Sequence, residues 1–198
     1  MTPTPPGSRK AMTRDALEIG TRVFLRKPTQ RDCEEFLQRM RDSRRLHRGW
    51  VPLFTSAEQY ETMLKHGRAE NRLQSLICRI EDGAIVGQIN LNEIVRGLTQ
   101  STYIGYHIFV PFDGKGYMTE GIELMLRHAF RTLKLHRVEA GIQPNNERSI
   151  ELVKRLGFRY EGTALRLIKI AGRWRDHQRW AILAEEWRAR RRPRLRTK

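Results

Sequence analysis

The sequence predicts an α+β protein built on a mixed, mostly antiparallel sheet with flanking helices. Short stretches rich in β-branched and aromatic residues are typical of strands, and they are bounded by glycine-containing turns. Longer stretches repeat apolar residues every three or four positions, which is typical of amphipathic helices. The two kinds of stretch follow one another in the order β-α-α-β-β-β-α-β-α-β-β, so most neighbouring strands are expected to pair as hairpins.

Turn and capping residues set the element boundaries in the N-terminal half. Thr29, with Asp32 three residues later, and Ser56, with Gln59 three residues later, are typical helix starts. Glu81-Asp82-Gly83 predicts a hairpin turn between two strands. The predicted elements of this half are a strand within 16–27, helices over 29–44 and 56–68, and strands over 75–80, 84–94 and 101–110.

A long amphipathic helix follows a glycine-containing loop in the C-terminal half. Its apolar stripe consists of Ile122, Met125, Leu126, Ala129, Phe130 and Leu133. Next come a strand over 137–142, a helix over 147–156 that Gly157 ends, and strands over 159–170 and 175–183. The strand before the loop and the strand after its helix are expected to run parallel.

Composition indicates one cytoplasmic domain. The 198 residues contain no apolar run long enough to span a membrane, and the proline-rich start does not resemble a signal peptide. Cys33 and Cys78 have neither metal nor disulfide spacing, and the six histidines also lack metal spacing, so no metal is expected. We predict a flexible leader over 1–15, a folded domain over 16–187 and a basic tail over 188–198.

The net charge of +16 is large for a chain of this length, and +11 remains without residues 185–198. Such a charge attracts polyanions, so RNA is one candidate partner. A solvated basic surface without a specific partner is an equally good interpretation.

Asp113-Gly114-Lys115-Gly116-Tyr117-Met118-Thr119-Glu120 lies between a predicted strand and the long helix. Glycines there let successive backbone N–H groups converge at the positive end of the helix, which suits phosphate oxygens. A turn that merely starts the helix is the alternative. The P-loop pattern fails because Phe109 and Gly116 occupy two of its required positions, and the dinucleotide fingerprint fails at Thr119.

The chain resembles the GNAT acyltransferases from about residue 16 to residue 187, and within them the ribosomal-protein-alanine N-acetyltransferases. The motifs that carry the resemblance are the glycine loop, Asn92-Glu93-Ile94-Val95-Arg96-Gly97, Ile104-Gly105-Tyr106, Asn145-Asn146-Glu147-Arg148-Ser149, Arg155-Leu156-Gly157-Phe158, Glu161-Gly162 and Gly172-Arg173-Trp174-Arg175-Asp176-His177. The resemblance implies that acetyl-CoA binds in a cleft between two splayed parallel strands.

The resemblance also implies which residues contact acetyl-CoA. Loop amides would hold the pyrophosphate, strand main chain would pair with the pantetheine arm, and two asparagines would touch the same arm. These predicted cofactor-binding residues are Ile108, Phe109, Val110, Gly114, Lys115, Gly116, Tyr117, Met118, Thr119, Asn145 and Asn146. Asp113 and Met118 depart from the family loop, which puts an Arg or Gln and a small residue there, and predict weaker binding.

Glu93 and Ser149 are the candidate catalytic residues. An α-amine of pKa about 7.8 needs only a modest base at pH 7, and Glu93 follows a strand that the family places beside the thioester. The family's usual tyrosine acid is replaced by Val153, and Ser149 resembles a hydroxyl that some members place near the sulfur. The alternatives are a solvated carboxylate for Glu93 and a helix-capping role for Ser149 and the two asparagines.

The resemblance implies an enzyme that acetylates the N-terminal alanine of a ribosomal protein by direct attack on the thioester. Two alternatives stay open: a GNAT enzyme acting on a small-molecule amine, and a ribosome- or RNA-binding accessory protein with a decayed acetyltransferase site. The sequence leaves a monomer and a homodimer equally open. Candidates to line the acceptor channel are Trp50, Arg96, Tyr106 and Trp174.

Overall fold

The computed structural model describes residues 13–50 and 54–191, which form one mixed sheet with helices on both faces. The strands are β1 (Ala16–Ile19), β2 (Val23–Arg26), β3 (Leu73–Arg79), β4 (Ile85–Val95), β5 (Ser101–Ile108), β6 (Arg137–Ile142), β7 (Arg159–Ile170) and β8 (Arg173–Leu183). The helices are α1 (Cys33–Asp42), α2 (Arg44–His47), α3 (Ala57–His66), α4 (Tyr117–Arg127), α5 (Glu147–Arg155) and α6 (Ala184–Arg191).

The sheet order is β1-β2-β3-β4-β5-β6-β8-β7, and among the described strands β5 and β6 alone pair in parallel. This confirms the predicted fold class. Helix α4 packs on one face, where Gly121 lies against the side chains of Ile77 and Ile89. Helix α1 packs on the other face, where the Phe36 ring contacts that of Phe109 with centroids 5.5 Å apart.

The predicted first strand is wrong in one respect, because 16–27 forms two antiparallel strands. Gly20 donates its N–H to the Val23 carbonyl at 2.8 Å and closes a tight turn between them. A side chain at Gly20 would meet the Glu120 carboxylate, so the turn accepts little else. The alternating apolar residues on either side conceal such a turn in the sequence.

The first predicted helix is interrupted. Thr29 and Asp32 form the expected capping box around a short 3₁₀ turn that leads into α1. Helix α1 ends before Ser43, whose hydroxyl accepts a hydrogen bond from the N–H of Val110 at 2.9 Å. Because Ser43 is fully buried and bonded to Val110 just after β5, it separates α1 from the short helix α2.

Helix α6 at the C-terminal end is absent from the sequence-based prediction. It buries Trp187, whose ring lies 5.6 Å from that of Phe130. The arginine-rich composition there conceals this single large anchor. The predicted domain boundary at 187 falls within α6, while 1–12 of the predicted leader and 192–198 of the predicted tail lie outside the described residues.

Strands β5 and β6 are in register over only three residue pairs, from Ser101 with Arg137 to Tyr103 with Glu139. Beyond these pairs the two strands diverge, as the resemblance implies.

Of the helices in the described part of the chain, none has the length and apolarity to cross a membrane. Both cysteines are free thiols: Cys78 is buried, and Cys33 is half-buried.

Candidate active site

The glycine loop has the backbone geometry that converging N–H groups require. Gly114 and Gly116 both adopt left-handed conformations, with φ of 71° and 81°. Gly116 is the N-cap of α4 and provides no side-chain cap, so the first amides of the helix stay directed outward. An N-terminus of this kind suits a phosphate group.

Arg22 contacts this loop through its guanidinium, which is paired with Glu120. Its guanidinium donates to the Lys115 carbonyl at 3.0 Å and lies 5.0 Å from the centre of the Tyr117 ring. Glu120 holds the arginine, since its carboxylate accepts from the main-chain N–H of Arg22 at 2.8 Å and from the side chain at 3.0 Å. Burial raises the pKa of Glu120, but these hydrogen bonds outweigh it and the net shift is downward.

The predicted departures at Asp113 and Met118 have different consequences in the structure. Met118 is buried, and its methyl group packs against Gly87 of β4, so its side chain points into the core and not toward the loop. Only its main chain, like that of Thr119, belongs to the phosphate-facing turn. Asp113 is half-buried at the start of the loop, two residues before Lys115.

Main-chain groups at the end of β5 are the predicted partners of pantetheine. The Phe109 N–H donates to β4 at 2.9 Å. The Ile108 carbonyl accepts from Nε2 of His47 at 2.8 Å, and the Val110 N–H is bound by Ser43. Because successive residues of a strand direct their main-chain groups to opposite sides, the N–H of Ile108 faces the gap between β5 and β6. That N–H can pair with pantetheine without moving α2.

The gap opens into a cavity of about 830 Å³ between the sheet and α3. Seven of its lining residues carry a carboxamide; they are Gln59, Gln74, Gln88, Asn90, Asn92, Gln143 and Asn146. Among the described lining residues Glu58 is the one carboxylate, and Arg72 is the one arginine or lysine. Of the four predicted channel residues, Trp50 and Tyr106 line this cavity.

Ser149 and Tyr106 face each other where β5 separates from β6. Their hydroxyl oxygens are 2.6 Å apart, and both residues line the cavity. Burial raises the pKa of Tyr106 to about 12, so the phenol keeps its proton at neutral pH. Asn146 caps α5 by accepting from the N–H of Ser149 at 3.3 Å, while its neighbour Asn145 is exposed.

Glu93 lies in a bulge of β4, where its φ is 53° and its side chain is exposed. A bulge re-aims side chains relative to a regular strand. Within the described lining, Asn92 contributes to the cavity and Glu93 does not. An action of Glu93 on a bound amine therefore requires a water between the two groups.

Two neighbouring histidines, His47 and His107, lie at the cavity, and His107 lines it. Burial, together with the neighbouring His47, lowers the pKa of His107 to about 3. Burial also lowers the pKa of His47, whose ring centre is 5.0 Å from that of His107. Both rings are therefore neutral at pH 7. No group of three or more potential metal ligands occurs in 13–50 or 54–191.

The sequence reasoning missed Arg22, the pairing of Tyr106 with Ser149, and the carboxamides of the sheet. No local pattern marks Arg22, which contacts the loop although it lies 93 residues before Lys115 in the chain. The carboxamides do leave a signal, because Gln88, Asn90 and Asn92 alternate along β4 and therefore share one face.

The fold and this cleft define an acyltransferase of the type that the sequence resembles. The family model for the acetyltransferase (GNAT) domain matches residues 22–159. The chain therefore belongs to the GNAT acetyltransferase family.

Relatives and a solved structure add detail to this assignment. The probable N-acetyltransferase YjcK of Bacillus subtilis is 44% identical over 107 residues, and the [ribosomal protein uS5]-alanine N-acetyltransferase of Escherichia coli is 38% identical over 107 residues. Each match covers 54% of this chain and 59% or 55% of the relative, less than two-thirds of either relative's length. Mycobacterium smegmatis RimJ in complex with CoA-disulfide is 30% identical over 83% of each chain, with a TM-score of 0.77.

Proposed function

We propose that this protein is an acetyl-CoA-dependent N-acetyltransferase whose acceptor is the N-terminal amine of a protein, specifically an alanine-starting ribosomal protein. The observation that carries the proposal is the lining of the cleft, which is rich in carboxamides and contains a single carboxylate among its described residues. The uS5-alanine N-acetyltransferase of Escherichia coli supports the choice of acceptor by its similarity.

Acetyl-CoA supplies the acyl thioester in this proposal. The amides of 114–119 would bind its pyrophosphate, and Arg22 would hold the loop through its hydrogen bond to the Lys115 carbonyl. The N–H of Ile108 would pair with the pantetheine arm as an added strand does. Asn146 would contact the same arm beside Ser149, and exposed Asn145 would contact it from outside the cavity.

The cleft suits a peptide because carboxamides match peptide groups. Each one offers both a donor and an acceptor, which pair with the C=O and N–H of an extended chain. A polyamine presents only cationic donors and needs carboxylates around it. Glu58 and Arg72 together give the lining no net negative charge, so a cationic small molecule is poorly matched.

Two proton transfers accompany the proposed reaction. The C–N bond forms as the C–S bond breaks, the attacking nitrogen loses one proton, and the sulfur gains one. Glu93 would accept the first proton through a water. Ser149 would donate the second proton, with the Tyr106 hydroxyl donating to Ser149 Oγ and so directing the serine proton toward the sulfur.

The two alternatives predict different observations. A small-amine acetyltransferase turns over polyamines or amino sugars in preference to peptides. An RNA-binding protein with a decayed site, suggested by the charge of +16, binds RNA in a salt-sensitive manner and acetylates no peptide.

Mass spectrometry of ribosomal-protein N-termini, in cells with and without the gene, tests the acceptor. We expect one alanine-starting protein to lose its acetyl group when the gene is deleted, and to regain it with a plasmid copy. Unchanged acetylation of every ribosomal protein would contradict the assigned acceptor.

A further inference from the structure

One face of the sheet carries a block of carboxamides under α3, which we call the carboxamide floor: Gln74, Gln88, Asn90 and Asn92. Gln74 of β3 is in register with Asn90 of β4, and Gln88 and Asn92 lie two residues to either side of Asn90. Four neutral amides at the bottom of a cavity are unusual for a sheet face that otherwise buries apolar residues.

Part of this floor has polar atoms without partners. Among the described residues, the side-chain oxygens of Asn90 and Gln74 are buried and accept no hydrogen bond. A buried acceptor left unsatisfied destabilises a fold, so such atoms call for an explanation. The Gln74 oxygen lies against Gly67, whereas Asn90 is central in the floor and lines the cavity. Asn90 therefore offers the better placed acceptor.

Gly105 leaves space beside Asn90. It is in register with Asn90 on β5, and a Cβ built on it would meet only the Nδ2 atom of Asn92, at 3.5 Å. The next residue is Tyr106, which bonds Ser149. Gly105, Tyr106 and Ser149 all line the same cavity, so the open space over Gly105 and the proposed position of the sulfur belong to one cavity.

We propose that the carboxamide floor binds the first residue of the acceptor peptide through its main chain. Oδ1 of Asn90 accepts a hydrogen bond from the α-amine, and Nδ2 of Asn92 donates to the first peptide carbonyl. This inference rests on the proposed function and assigns the recognition to two residues. It requires an acceptor whose carbonyl carbon is bonded directly to the carbon that bears the amine, as in every peptide.

A neutral acceptor at this position also has a chemical purpose. A carboxylate would favour the ammonium form and raise the pKa of the amine that must attack. An amide oxygen orients the amine with much less stabilisation of the charged form. The floor therefore positions the nucleophile while leaving its pKa near the ordinary value of an α-amine.

Asn92 is tested with two acceptors of equal length. One is an alanine-starting peptide, and the other is its analogue in which the first carbonyl is reduced to a methylene. We expect the wild type to prefer the peptide, and Asn92→Ala to lower kcat/KM for the peptide about tenfold while leaving the analogue unchanged, as the loss of one hydrogen bond implies. If Asn92→Ala keeps the full wild-type preference for the peptide over its reduced analogue, the assignment of Asn92 is wrong.

Asn90 is tested with Asn90→Asp, which keeps the shape and the acceptor oxygen. Its added charge is expected to raise the pKa of the bound amine, so the acid limb of the pH profile of turnover moves to higher pH. Asn90→Ala is expected to lower kcat/KM for the peptide about tenfold. A profile identical to that of the wild type, together with full activity of Asn90→Ala, would overturn the assignment of Asn90.

Controls separate the inference from folding and from the proposed function. Gln38→Ala removes an exposed carboxamide on α1 that bonds Asp42. It should change neither the preference for the peptide over its reduced analogue nor the pH profile of turnover. Acetyl-CoA affinity and thermal unfolding verify that each variant is folded. A wild type that acetylates no peptide contradicts the proposed function itself, whereas active wild type with insensitive Asn90 and Asn92 variants contradicts only the floor.

Discussion

In the proposed function the two ends of the cleft would bind by different means. The cofactor end would bind through backbone amides of one continuous segment, 114–119, with two glycines in left-handed conformations. The acceptor end would bind through side chains of α3, β3, β4, β5 and the segment after β6. A backbone site depends on local conformation, whereas a side-chain site depends on which elements the fold brings together. Cofactor binding would therefore be encoded locally, and acceptor choice would be distributed over the chain.

Gly116→Val distorts the backbone at the cofactor end of the cleft and has the largest expected effect. Gly116 has φ of 81°, which a β-branched residue adopts only with strain, and its Cβ would lie 3.2 Å from the Arg22 guanidinium. We expect acetyl-CoA to bind about a hundredfold more weakly in calorimetry, since an αL residue costs about 1–2 kcal/mol and the amides are displaced as well.

Gly172→Val is the matched control for that substitution. Gly172 has φ of 79° in the turn between β7 and β8, with no atom near its missing Cβ. It should suffer similar backbone strain but keep its affinity for acetyl-CoA. Equal losses of affinity in both variants would mean that the loop acts through stability alone.

Ser149→Ala tests the point where the two ends meet. We expect kcat to fall about tenfold with little change in the KM for acetyl-CoA, because a thiol of pKa near 8.5 already leaves well and gains only modestly from an acid. Tyr106→Phe should reproduce most of this loss. The double variant should be no worse than Ser149→Ala, and additive losses in steady-state kinetics would show that the two hydroxyls act independently.

Glu93→Gln tests the proposed general base at the acceptor end of the cleft. At pH 7 about one-seventh of an α-amine of pKa 7.8 is already neutral, so we expect kcat/KM to fall by no more than about sevenfold. The defect should disappear above pH 9, where the amine is neutral without a base. A constant defect across the pH range would assign Glu93 a structural role at the β4 bulge.

The last prediction concerns the stability of the fold beside the cavity and not activity. The pKa of His107 is lowered, so stability is complete above its unfolded pKa of about 6.5 and is lost as pH falls toward its folded pKa of about 3. Between pH 7 and pH 5 we expect the unfolding free energy of the wild type to fall about 2 kcal/mol more than that of His107→Phe. Equal pH dependence in denaturant titrations would show that this ring is not the group responsible.

The same division explains what could be predicted from the sequence. Hairpin turns, capping boxes and the glycine loop are local patterns, and the structure confirms the fold class and the parallel pair that they predict. The split at Gly20 and helix α6 escaped because their causes are distant: the Glu120 carboxylate and the Phe130 ring. The contact between Tyr106 and Ser149 spans 43 residues and follows only from the divergence of β5 and β6.

The most direct test places an alanine-starting peptide and spermidine together, at equal concentration, with the purified protein and acetyl-CoA. Mass spectrometry then measures both acetylated products. We predict that the peptide is acetylated at its N-terminal amine in large excess over spermidine. Acetylspermidine as the main product would contradict a cleft whose carboxamides select a peptide.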